Sequence, residues 1–178
     1  YKKRVILMDK DPRIVGIWRY LIHTPPEEIL RLPLLVAGQR VDSLPICQEA
    51  RDLISWWVAH SSSSPGQTLA PRAFDPNRKK GSGKFWGPEI RERLARQAPL
   101  IAHWQILEMS FEEIDPARVG PATWFVDPPY QGKAGRSYKH NVIDFPRLGA
   151  LCRALPGQVI ACENAGADWL PFEHFDYT

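Results

Sequence analysis

Four short apolar runs, each ending on a polar residue or followed by one, constrain what this chain can fold into. They are Arg4-Val-Ile-Leu-Met-Asp9, Trp104-Gln-Ile-Leu-Glu-Met109, Thr123-Trp-Phe-Val126 and Gln158-Val-Ile-Ala-Cys162. Each is too short for a core helix and reads as a buried strand. Helical stretches separate them. Strands alternating with helices argue for an α/β fold with a mainly parallel sheet flanked by helices. In such sheets ligands bind beyond the carboxyl ends of the strands. Asp9, Ser110, Asp127 and Glu163 all stand at such ends.

The helices carry local signals. Asp11 can cap the first, and Pro12 suits its first turn. Ile14, Ile17, Trp18, Leu21 and Ile22 then recur at helical spacing, and Pro25-Pro26 closes the unit. A second helix is expected from Ile46 to Ala59, with Ile46, Ala50, Leu53, Ile54, Trp57 and Val58 inward. Residues 61–66 form a Ser/Pro/Gly breaker. A long polar loop follows to Gly87, within an insertion spanning 61–88. Helix resumes from Glu89 to about Ala98, with Pro99 near its end, and again from Phe145 to Leu155, with Asp144 as cap.

A chain of 178 residues suits one domain, here spanning residues 1–178. Its hydrophobic share of 44% against 24% charged places it with globular rather than disordered chains. No apolar run reaches membrane-spanning length, and no signal-peptide pattern opens the chain. The net charge of +3 decides little, but its distribution is informative. Arg72, Arg78, Lys79, Lys80, Lys84, Arg91, Arg93 and Arg96 face only Asp75, Glu89 and Glu92 in the same stretch. Cys47, Cys152 and Cys162 lack metal-type spacing and read as small buried residues in a reducing cytoplasm.

The chemistry is carried by Asp127-Pro128-Pro129-Tyr130, which follows the third strand directly. By average residue usage the tetrapeptide arises by chance in on the order of one such chain in a thousand. Asp-Pro also occurs in plain strand-ending turns. The functional reading starts from the exocyclic amine of a nucleic-acid base, whose lone pair is delocalised into the ring. Two acceptors on its hydrogens favour a more tetrahedral, nucleophilic nitrogen. The Asp127 carboxylate can be one, and the Pro128 carbonyl, held by consecutive prolines, the other. Tyr130 can stack on the base. Holding the nitrogen in line with a methyl sulfonium supplies proximity and electrostatic catalysis, with no need of a metal. A base in a duplex must first be flipped out.

The run Thr123 to Tyr130 resembles the catalytic motif of N6-adenine-specific DNA methyltransferases, in particular the short orphan adenine methylases of phages and prophages. Val5 to Pro12 with Trp18-Arg-Tyr-Leu-Ile22 is similar to that group's second motif. His103-Trp104 through Ser110-Phe111 is similar to its third strand, and Val159 to Asn164 with Ala167 to Phe172 to the end of its core. The resemblance implies a Rossmann-like S-adenosylmethionine-dependent methyltransferase fold, a double-stranded DNA partner and a cytoplasmic protein. It implies that Asp9, with Lys10, meets the cofactor ribose, that Ser110 and Phe111 lie near the cofactor adenine, and that Asp127 borders both cofactor and base. Many relatives carry an acid where Ser110 stands, and Phe111 is equally suited to the core. The family's Gly-rich first motif is expected before Tyr1 and its closing strands after Thr178. The chain is therefore expected to be truncated at both ends and inactive in isolation.

Arg78-Lys79-Lys80-Gly-Ser-Gly-Lys84-Phe85-Trp86 mixes cations, glycines and aromatics. It suits phosphate neutralisation with base stacking, as a target-recognition insertion. It suits equally a solvated loop with Trp86 tucked into the core. The segment Gln131 to Tyr138 looks mobile, able to close over a flipped base, with Arg136 and Tyr138 as contacts. Trp169 and Phe172 read as core. N4-cytosine methylation is the nearest alternative activity, and a non-catalytic prophage fragment that at most binds DNA is the alternative of another class. RNA or protein amide methylases more often carry Asn where Asp127 stands.

Overall fold

The Asp11 side chain accepts the Arg13 amide at 2.9 Å and so starts the first helix, α1 (Pro12–His23), where the cap signal lies. In the computed structural model the described residues are 3–58, 65–69, 73 and 85–173. They form a mixed α/β structure in two compact units, the first ending at Met109 and the second beginning at Ser110.

In the first unit, β1 (Ile6–Asp9) pairs in parallel with β2 (Gln105–Glu108), Ile6 opposite Gln105 and Asp9 opposite Glu108. Bonds from the Gln105 amide to the Val5 carbonyl and from the Met109 amide to the Asp9 carbonyl, both 3.0 Å, extend the ladder. Helix α1 packs against this sheet, α3 (Gln48–Val58) and α4 (Pro88–Ile101) pack on α1, and a short α2 (Pro26–Leu30) packs on α4. Their apolar faces meet in a core that includes Ile29, Val41, Ile54 and Ile90. Trp18 stacks at a tilt on Trp104, centroids 6.1 Å apart.

Helix α1 ends at His23, just before Pro25 and Pro26 as expected, and Pro26 in addition opens α2 at its first position. The reason is the one that admits Pro12 to α1, since a first-turn residue has no helical amide bond to lose. Pro99 likewise lies inside α4, near its carboxyl end. Val15, rather than Ile14 or Trp18, is the most deeply buried residue of α1.

In the second unit, β3 (Ala122–Val126) and β4 (Gly157–Ala161) pair in parallel, joined by α5 (Phe145–Ala154), whose cap Asp144 accepts the Arg147 amide at 3.0 Å. The Pro156 carbonyl takes the Ala122 amide at 3.2 Å and the Trp124 indole at 2.9 Å. Gly157 then enters β4 at φ +102°, where a side chain would meet the Ala122 backbone. Leu148, Cys152 and Trp169 form this core, with Phe145, Val126, Val159 and Phe172 against it.

The strands are less buried than their apolar sequences imply. Phe125 is 66% exposed and its register partner Ile160 is 42% exposed, while Ile6 and Leu107 are also open. Alternate strand residues face opposite ways, so helices on one face leave the other uncovered. The cysteine expectation fails at Cys47, which is exposed; Cys152 is buried and Cys162 half-buried. Among the described residues no helix is long and apolar enough to cross a membrane.

Candidate functional site

The second unit carries the Asp-Pro-Pro-Tyr tetrapeptide where β3 ends. The Cys162 amide donates to the Val126 carbonyl at 3.1 Å, one step beyond the paired strands. The backbone is thus held by the ladder up to the residue before Asp127. Asp127 is exposed, and Pro128, Pro129 and Tyr130 are half-buried. The prolines narrow the backbone freedom of the turn between a pinned strand end and Tyr130.

Tyr130 lies beside Asp127. The negative charge of Asp127 is the main cause that raises the phenol pKa above 10.0, followed by burial, Cys162, a side-chain hydrogen bond to Asp127 and Glu163. A phenol in that setting stays protonated. Asp127 is exposed, so its carboxylate keeps acceptor positions open to solvent.

The segment after Tyr130 is more ordered than its composition suggests. The Gln131 amide donates to both oxygens of Glu163, at 3.0 and 3.1 Å. A 3-10 turn runs over Ala134–Ser137, and Gly135 is buried, packed so closely on the Tyr130 carbonyl that a Cβ would overlap it. The Asn141 side chain donates to the Arg136 carbonyl at 2.8 Å, and Arg136 itself is exposed. Tyr138 is 51% exposed. An open groove of about 330 Å³ lies between this segment and the loop after β4, lined by Gln131, Gly132, Asn164 and Asp168 among others.

The other expected site residues divide by environment. Asp9 ends β1 in the first unit, half-buried, with one oxygen accepting the Asp11 amide at 2.7 Å. Among the described residues its other oxygen has no hydrogen bond, so it can accept from a ligand hydroxyl. Lys10 is exposed. Ser110 and Phe111 open the second unit on a 3-10 turn, Phe111–Glu113. There the Ser110 amide donates to Glu113 at 2.6 Å and the hydroxyl to Glu112, so Ser110 is engaged in capping. Phe111 packs against the second core, the alternative open to it from sequence.

Trp86 is 3% exposed, with its indole donating to the Pro33 carbonyl at 2.8 Å. Its ring belongs to the first core, so of the two readings open to Trp86 from sequence, base stacking and a place in the core, the structure takes the second. Arg78, Lys79, Lys80 and Lys84 lie outside the described residues. Around the same insertion, the Gly66 amide bonds the Ser55 carbonyl at 2.9 Å and the Trp86 amide the Trp57 carbonyl at 3.1 Å. Both flanks are thus fastened to α3.

Sequence reading put Glu163 at a strand end without giving it a role. It accepts from Gln131, from the Asn164 amide at 2.7 Å and from the Trp169 indole at 3.1 Å. The only available signal was an acid just beyond an apolar run. Comparison of the chain with protein-family models, with curated proteins and with solved structures gives no match.

Proposed function

We propose that this chain belongs to an S-adenosylmethionine-dependent methyltransferase of Rossmann-like fold that methylates the N6 amine of adenine in DNA. The observation that carries the reading is the Asp127–Tyr130 turn, which directly follows a parallel strand and presents an exposed carboxylate with a protonated phenol beside it. Asp127 accepts one hydrogen of the target amine and the Pro128 carbonyl the other. Tyr130 lies against the flipped base and, through its hydroxyl, orients the carboxylate. S-adenosylmethionine, when bound, supplies an electrophilic methyl on a sulfonium. Asp9 suits its ribose hydroxyls through the free carboxylate oxygen; Ser110 suits it poorly, because amide and hydroxyl are already engaged.

The test is transfer of labelled methyl to duplex DNA by the full-length protein, using duplexes that differ in adenine and cytosine content. Asp127→Ala is expected to lower transfer about a hundredfold or more, the scale of losing a preorganised acceptor, with cofactor affinity largely kept. Asp127→Asn is also impaired, less severely, since an amide oxygen still accepts. Parental activity in a folded Asp127→Ala variant overturns the reading, and transfer confined to cytosine moves it to N4 methylation.

A further inference from the structure

We propose that Glu163 is the positioning residue of the Asp127–Tyr130 turn, clamping the backbone just after Tyr130 so that the Asp127 carboxylate and Pro128 carbonyl keep their spacing. The catalytic part of this inference rests on the methyl-transfer reading; the clamp rests on geometry alone. Three N–H groups converge on one carboxylate. Oε1 takes the Gln131 amide at 3.0 Å and the Asn164 amide at 2.7 Å. Oε2 takes the same Gln131 amide at 3.1 Å and the Trp169 indole at 3.1 Å.

A carboxylate is the acceptor-only group that satisfies such a set, and charge-assisted bonds of this kind are stronger than neutral ones. The clamp has a firm anchor. Trp169 is buried, with its ring 5.8 Å from Phe145 and 4.9 Å edge-on from Phe172 by centroids. Arg153 donates to its carbonyl at 3.3 Å. The turn is therefore fixed twice, by the Val126–Cys162 bond before Asp127 and by Glu163 after Tyr130. Between these points lie the two acceptors assigned to the target amine. A small displacement there changes their spacing without touching the substrate.

Glu163→Gln tests this by turning one acceptor into a donor that faces an N–H group. Hydrogen exchange in the chain itself is read first. The Gln131 amide is expected to exchange about tenfold faster or more in the variant, on the scale of one lost charge-assisted bond. Methyl transfer by the full-length protein is read second. Its kcat should fall about tenfold to a hundredfold, as for misplaced reacting groups, with the KM for cofactor unchanged. Trp169→Phe, which removes one donor and keeps the ring, should move both readouts less. If Glu163→Gln does not fold, Glu163→Asp, which keeps the acceptors on a shorter stem, carries the same two readouts. Unchanged exchange at Gln131 overturns the clamp. Faster exchange with unchanged kcat overturns its positioning role. A full-length wild-type protein that transfers no methyl overturns the activity reading, while the exchange result still decides the clamp.

Discussion

Tyr130 lies beside the Asp127 carboxylate within the same turn, and this ties the ionisation of the phenol to the charge of the carboxylate. The phenol pKa is raised above 10.0, first by Asp127 and then by burial. Between 10.0 and the folded value the folded chain binds more protons than the unfolded one. The stabilisation is thus fully present below that range and is lost as pH rises through it. In an ultraviolet titration of tyrosinate, Tyr130→Phe should remove a chromophore from the late part of the curve. Tyr20, raised mainly by burial, remains there. Loss of a chromophore from the early part instead would show that Tyr130 and Asp127 are uncoupled in solution.

Trp86 and the neighbouring cations should separate in mutagenesis. Trp86→Ala removes a buried indole and its bond to Pro33, and should cost about 3–5 kcal/mol of stability in denaturant unfolding, the range for large aromatic truncations. Trp86→Phe should cost less and leave DNA affinity unchanged. A folded Trp86→Phe protein with weakened DNA binding would restore the stacking role.

Arg78, Lys79, Lys80 and Lys84 are replaced together with Ala. The replacement should flatten the salt dependence of DNA binding by about one unit of log–log slope per lost phosphate contact. An unchanged slope in the folded variant would mean that the cluster is only solvated.

Gly149 of α5 packs on the carbonyl of Trp169, where a Cβ would overlap the oxygen. Gly149→Ala should therefore destabilise the second unit by about 1–3 kcal/mol, as overpacking does, despite alanine's better helix propensity. It should also loosen the indole bond to Glu163, read as faster exchange of the Gln131 amide. A neutral or stabilising Gly149→Ala would show that the loop carrying Trp169 yields freely.

Local order decided what could be read from the sequence. The Asp11 and Asp144 caps and the periods of α1, α3 and α5 depend on residues a few positions apart, whereas the division of the strands into two separate parallel pairs does not. The Asp127-Pro128-Pro129-Tyr130 turn was legible for the same reason, since its prolines and the preceding apolar run act within one short stretch. Other features depended on tertiary structure. Whether Trp86 offers its ring or buries it turns on the Pro33 carbonyl, 53 positions away. The exposed faces of Phe125 and Ile160 follow from which side of the sheet the helices cover, which an apolar strand does not encode. Glu163 gained a role only when folding brought Gln131, 32 positions earlier, onto its carboxylate. A hydrogen bond depends on distances of a few ångström between groups, and for residues this far apart only the packed chain sets those distances.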